Sequence, residues 1–336
     1  MELVMIFDMR SPDFGAPRST LYRVALDCAA WADEIGFDVI GLGEHHIAED
    51  GYNPSPLVLA SAMAARTRRI RLRTSVLLAP CYDAVRLAED VAVLQILSEG
   101  RFELGLGFGY RPAELAMYGH RVEDRFELTC RMASFLRDAL RGEPFTWEGR
   151  PGRISPVPEV PVPILLGGMA PKVVRAAARI ADGLLVPLFP PKIWAGYRAE
   201  CLALGKPDPG EYPRQGPTFL WVSEDPERDW EWIAPHALHV LDSYSRWTSE
   251  AYGKPIGPYA GGMSAETLRH SGAYRVLTPE QTVSLAQGLG EYSSLYLTPL
   301  FGGIDPVRAQ AMLRLFEREV YPHLPRGACP RWGVGV

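Results

Sequence analysis

The stretch AVRLAEDVAVLQILSEGRFELGLGFG, residues 84–109, decides the fold. Ala84, Leu87, Val91, Leu94 and Leu97 recur at helical spacing and give one continuous apolar face. Gly100 stops that helix, because a glycine just past the last turn adopts the left-handed conformation that other residues resist. RFELGLG (101–107) then reads as a short strand. A helix that passes through a glycine stop into a strand is half of a strand–helix repeat, and the same order recurs on both sides.

Upstream, LVMIFD (3–8) precedes a helix carrying Leu21, Val24, Cys28, Trp31 and Ile35, which ends at Gly36. DVIGLG (38–43) precedes a helix over 56–65, and IRLRTSVLL (70–78) leads into the opening stretch. Downstream come a helix over 124–141, VPILLGG (162–168) with a helix over 171–181, and GLLVPLF (183–189) with a helix over 193–204. TFLWVS (218–223) with the segment after Pro226, and SLYLTPL (294–300) with 306–320, complete eight units. Eight strand–helix units predict an α/β fold, a (β/α)8 TIM barrel, as one domain over 1–336. The alternative, an open doubly wound sheet, more often carries a phosphate loop after its first strand, and none follows LVMIFD. Two insertions are expected at the C-terminal face. FTWEGRPGRI (near 145–155) reads as a hairpin, and 224–278, with Trp230, Trp232 and Trp247, lies over the barrel mouth. It is either rigid packing or a lid hinged at Gly261 and Gly262.

With 336 residues, 47% of them hydrophobic, the chain can bury a large core. The net charge of −5 comes without any run of like charge, which argues against a nucleic-acid partner and for a small-molecule substrate. No apolar run approaches the ~18 residues of a membrane span. Cys28, Cys81, Cys130, Cys201 and Cys329 are odd in number and widely spaced, so neither a disulfide framework nor a zinc site is expected. The start MELVMIFDMRSPDF is unlike a secretion signal, and the expected setting is cytoplasmic.

In such a barrel the chemistry sits on the loops that follow the strands. GEHH puts Glu44, His45 and His46 after the second strand, and an imidazole there can take and return a proton near neutral pH. The plain alternative is a polar strand end. Two adjacent histidines with one carboxylate seldom converge on one ion, and no metal is expected; His236 and His239, three apart, are the one other chelating pair. GLGFGYRP places Gly105, Gly107 and Gly109 at the end of the fourth strand, either for close backbone approach or as a tight turn. Arg111 either adds charge there or pairs with Glu114. In LLGGMAPKVV, Gly167, Gly168 and Met169 precede a helix with Pro171 in its first turn, whose N–H groups suit an anion.

GFDVIGLGEHH, NPSPLVLASAMAARTRRIRL, RLAEDVAVLQILSEGRFELGLGFGYRPAE, PVPILLGGMAPKVVRAAARIADG and GGIDPVRAQAMLRLFEREVYPHL follow in that order over nearly the whole chain. Together they resemble the bacterial luciferase-like flavin-dependent monooxygenases and their relatives. The resemblance implies a (β/α)8 barrel that binds reduced FMN supplied by a separate flavin reductase, or the deazaflavin coenzyme F-420. The first serves monooxygenation with O2 on an apolar or aromatic small molecule, the second hydride transfer; a non-catalytic flavin-binding barrel is a further alternative. It implies that His45 faces the flavin, that Glu44 orients His45 or meets the flavin's polar edge, and that His46 is structural. It implies a non-prolyl cis peptide at Ser75–Val76 beneath the ring. Gly107, Phe108, Gly109 and Tyr110 would line the ribityl chain and phosphate, with Phe108 departing from the small polar or basic residue common there. Gly167, Gly168 and Met169 would hold the phosphate. A homodimer is implied, for which Ala60, Ala62, Ala64, Ala88 and Ala92 offer small residues on the second and third helices.

Overall fold

The computed structural model describes residues 1–186, 191–256 and 261–325. The chain begins with β1 (Glu2–Phe7), α1 (Arg18–Ile35), β2 (Val39–Leu42) and α2 (Pro56–Ala64). The third predicted strand is two, β3 (Arg71–Thr74) and β4 (Leu77–Leu78), interrupted at Ser75–Val76, whose peptide bond is cis. α3 (Ala84–Leu97) starts at Asp83, whose carboxylate accepts the N–H groups of Val85 and Arg86. Gly100, at φ 83°, turns the chain into β5 (Phe102–Gly107), all of it buried.

Next come α4 (Pro112–Met117), α5 (Arg125–Ala139), the hairpin β6 (Phe145–Trp147) with β7 (Arg150–Gly152), β8 (Ile164–Gly167) and α6 (Pro171–Ile180). β9 (Gly183–Leu185) is shorter than the predicted strand, whose end at 187–189 lies outside the described residues. α7 (Pro191–Ala203), β10 (Arg214–Gln215) and β11 (Phe219–Val222) lead to α8 (Pro226–Tyr252), one 27-residue helix in spite of Pro235. The chain closes with α9 (Ala265–His270), β12 (Tyr274–Leu277), α10 (Pro279–Leu289), β13 (Ser293–Leu297) and α11 (Pro306–Glu319).

The strands run parallel in the order β10-β13-β1-β2-β3-β5-β8-β9, with β4 also on β5. The register pairs Met5 with Ile40, Leu42 with Thr74 and Leu104 with Ile164. β11 and β12 form a separate parallel pair, and β11 lies against β13. The sheet curls around the core with the helices outside it, a (β/α)8 TIM barrel; among the described residues no ladder joins β9 to β11. One expectation is corrected. The segment ending at 278 is not insertion throughout, because Tyr274 and Val276 are buried on either side of exposed Arg275 and this two-residue alternation makes β12 a strand.

The amino-terminal end of the barrel is closed by ions. Arg71 bridges Glu2 at 2.6 Å and Glu103 at 2.7 Å, and Arg73 bonds Glu103 at 2.5 Å. Burial pushes the Glu103 carboxyl up, but the charges of Arg73 and Arg71 outweigh it and hold the group below the usual range. A packed base leaves the opposite, carboxyl-terminal end as the one open to chemistry. On the outside, Ala60, Ala64, Ala88 and Ala92 are buried in this chain's own core and only Ala62 is exposed, so four of the five small residues are not free for a partner. The exposed large apolar side chains of α2 and α3 are Val58, Val93, Ile96 and Leu97.

Candidate active site

β2 runs out at Leu42 into a loop that folds back on itself. Asn53 donates its side-chain amide to Gly43 O, and His45 donates its N–H to Asn53 O. Gly43 has no room for a side chain, because a Cβ there would lie 2.2 Å from the Tyr52 hydroxyl. The turn buries Glu44, His45 and His46 together.

Glu44 and Glu114 divide the two histidines between them. Glu44 accepts the Leu78 N–H at 2.6 Å and the Tyr82 hydroxyl at 2.7 Å, and lies 3.0 Å from His46 Nε2. The Tyr118 hydroxyl lies 3.2 Å from His46 Nδ1. Glu44 therefore orients His46, not His45, and ties the loop to the segment just beyond the cis peptide. Burial pushes its carboxyl up in spite of those bonds.

His45 Nδ1 lies 2.9 Å from Glu114 Oε1, which also accepts the His46 N–H at 2.9 Å and Arg111 Nη1 at 3.0 Å. Burial works against the Glu114 carboxylate, yet His45, Arg111 and the His46 amide together hold it below the usual range. Burial pushes His45 down, against the pull of Glu114. An ionised Glu114 beside a neutral imidazole assigns the proton to Nδ1 and leaves the lone pair on Nε2. The rings of Trp247, Tyr52, Tyr110 and Tyr244 surround His45, with centroids 4.6, 4.9, 5.6 and 5.8 Å away.

Two of the other singled-out positions, Gly107 and Gly167, meet at Val76. Its methyls lie where a Cβ on Gly107 or Gly167 would be, at 2.4 and 2.6 Å. A Cβ on Gly105 would fall 2.1 Å from Thr74 O, while the Thr74 hydroxyl bonds both the N–H and the carbonyl of Gly105 at 2.9 Å. Gly105 lets β5 close on the Thr74 backbone, and Gly107 and Gly167 make room for the Val76 side chain. Phe108 stacks on Phe126 at 5.4 Å, and Lys172 sits 4.4 Å above the same Phe126 ring. Gly109 turns at φ 67°, and Tyr110 stacks on Tyr252 at 6.3 Å. Gly168 already donates its N–H to Leu185 O, and Met169 is partly exposed just before α6. The N-cap of α6 is Ala170, which offers no side-chain acceptor; α1, α2, α4 and α5 likewise start without a side-chain cap, whereas Asp83, Asp225, Thr278 and Asp305 cap other helices.

Sequence reasoning singled out Trp247, His236 and His239 on α8 but missed what they pair with. His239 Nε2 lies 2.8 Å from Asp50 Oδ2, His236 Nδ1 lies 2.8 Å from Gly302 O, and Trp247 packs 4.5 Å from Arg111. Gly261 is pinned to α8 through Ser245, while Gly262 has open space around it; the intervening 257–260 lie outside the described residues. His236 and His239 thus have separate partners, and among the described residues no three His, Cys, Asp or Glu side chains converge to hold a metal. Asp8 and Arg10 belong to the same cluster. Their only signal in the sequence was that FDMR turns polar directly after an apolar strand.

A family model described as luciferase-like monooxygenase matches residues 1–282. The chain is similar in fold to the monooxygenase RslO1 from Streptomyces bottropensis, with a TM-score of 0.78 and 23% identity, covering 96% of this chain and 99% of that one. It is also similar to the oxygenating constituent of 3,6-diketocamphane monooxygenase from Pseudomonas putida, a type II Baeyer-Villiger monooxygenase in complex with FMN. There the TM-score is 0.75 and the identity 20%, over 97% of this chain and 100% of that one. In sequence it is 32% identical over 171 residues to an F420-dependent glucose-6-phosphate dehydrogenase of Microbacterium testaceum, 48% of this chain and 51% of that one. The chain spans about half or less of the length of the curated relatives it matches.

Proposed function

Because the chain belongs to the luciferase-like monooxygenase family, a flavin-dependent group with F420-dependent dehydrogenases among its relatives, we propose that it is a monooxygenase using reduced FMN and O2 on an apolar or aromatic small molecule. The observation that carries this reading is the convergence, at one end of the barrel, of a Glu114-oriented neutral His45, the Val76 bulge backed by Gly107 and Gly167, and an uncapped helix start.

The residues fit a flavin. Ser75 and Val76 offer an apolar step beneath a ring system. Gly107, Phe108, Gly109 and Tyr110 flank that step. The first-turn amides of α6, after Gly167, Gly168 and Met169, suit the phosphate, and Lys172 supplies the basic group that Phe108 lacks. FMN would bring the oxygen-activating chemistry. His45 Nε2 would accept a proton from, or return one to, the reacting groups. Glu114 keeps that nitrogen in the right tautomer, and Tyr52, Tyr110, Tyr244 and Trp247 keep water away. Glu44 holds the loop in register through His46 and Leu78.

The setting we propose is cytoplasmic, with a separate reductase delivering the flavin; Cys28, Cys81, Cys130 and Cys201 are all free thiols. No helix of the described residues is long and apolar enough to cross a membrane. A homodimer through α2 and α3 would cover Val58, Val93, Ile96 and Leu97. The sequence similarity to an F420-dependent dehydrogenase supports a second reading, hydride transfer with deazaflavin.

Anaerobic titration with reduced FMN and, in parallel, reduced F420, followed by admission of air, separates the two. Tight binding of reduced FMN with altered oxygen consumption is expected. Binding of reduced F420 alone, with no oxygen uptake, would shift the protein to the second reading, and binding of neither would overturn both.

A further inference from the structure

Arg10 follows β1 at the carboxyl end of the barrel, and its side chain is fully buried. Nη1 donates to Asp50 Oδ2 at 2.6 Å, and Nε lies 3.8 Å from Asp8 Oδ2. Among the described residues, neither Nε nor Nη2 has a hydrogen-bond acceptor. Buried donors of this kind are costly to leave unmade, and a charged one most of all. The guanidinium carbon lies 4.8 Å from the Tyr52 ring centroid, 5.1 Å from Tyr244 and 4.7 Å from Trp247. Rings satisfy the face of a guanidinium, but its N–H groups point outward in its plane and still need an acceptor. The same three rings surround His45. An acceptor held by Arg10 would therefore share its walls with the group that moves the proton.

We propose that Arg10, through Nε and Nη2, anchors a neutral acceptor oxygen of the substrate, a ketone or quinone carbonyl on an aromatic or other planar apolar skeleton, within the Tyr52–Tyr244–Trp247 cage. The charge pattern selects this class. Asp50 and Asp8 already flank the one guanidinium, so a carboxylate ligand would bring a third negative group into a dry site. A hydrocarbon would leave both donors unmet. Tyr244 and Trp247 ride on α8, so that helix supplies two of the three walls. Arg10 is a specificity residue in this account, and the proposal rests on the monooxygenase reading only for what happens to the substrate once bound.

The test uses the purified full chain without flavin and three probes of one shape: 2-acetylnaphthalene, 2-ethylnaphthalene and 2-naphthoate. Binding is followed by calorimetry and by tryptophan fluorescence. The ketone is expected to bind at least about tenfold more tightly than the hydrocarbon and than the carboxylate. Equal affinities, tighter naphthoate, or no binding of the ketone would overturn the proposal, and none of these needs a variant to fold. In Arg10→Met combined with Asp8→Asn and Asp50→Asn, which strands neither flanking carboxylate, the preference should collapse to within about twofold. A preference that survives in the folded triple variant would also overturn it. Flavin titration of the unaltered protein is read separately. Loss of flavin binding sinks the monooxygenase reading and leaves the ketone preference standing, and the converse pattern sinks only the role of Arg10.

Discussion

Glu114 shows how much of a site can hang on one side chain. A single carboxylate oxygen receives His45, the His46 amide and Arg111, so it fixes the tautomer of one histidine and the backbone of the next. Glu114→Gln keeps the size and loses the charge. We expect turnover to fall by about 10²-fold with flavin affinity unchanged. The acid limb of the kcat/KM profile should move to lower pH, because the carboxylate that supports the imidazolium form of His45 is gone. A lower rate with an unmoved limb would mean that Glu114 is only a packing residue. GEHH announced the histidines, but their partner stood about seventy residues further on, in a pairing with Arg111 that the spacing only allowed. Which carboxylate serves which histidine is decided by how the loops after β2 and β5 cross, and no local pattern encodes that.

At the scale of elements, α8 was the least legible. Its tryptophans and tyrosines read as cover for the mouth, but not as one unbroken helix, because Pro235 counts against a helix interior and only tertiary packing overrides it. The strands were plainer, since runs such as FELGLG and VIGL are buried on both faces and need no partner information to be recognised. α8 is held by His239 on Asp50. Burial disfavours the Asp50 carboxylate, but the His239 hydrogen bond and the Arg10 charge outweigh it and place the group well below the usual carboxylate range. A depressed folded value contributes stability that is whole above the unfolded aspartate value of about 3.9 and fades as pH falls below it. His239→Ala should speed amide exchange in the middle of α8 by about tenfold, or about 1.4 kcal/mol, and leave the α3 amides unchanged. Equal acceleration in both helices would show that the contact serves the whole barrel.

For the molecule as a whole, the apolar side chains left on α2 and α3 are the feature a lone barrel does not explain. Val93→Asp combined with Leu97→Glu puts like charges on the proposed two-fold face and should weaken the proposed self-association by about a hundredfold, read by sedimentation velocity. A chain that sediments as a monomer before any substitution would remove the dimer. The barrel divides its labour between its ends, with the Glu2–Arg71–Glu103–Arg73 network as a closed floor and the aromatic cage at the mouth. α8 brings a further coupling, because under the proposed binding mode the helix that supplies Tyr244 and Trp247 to the cage is also the wall a guest would have to displace. A protein that recognised its guest with such a movable wall could not be retuned for a new compound without also changing how fast that compound comes and goes. Selection for a bulkier substrate at positions 244 and 247 should therefore yield variants whose gain in scope arrives together with altered residence time.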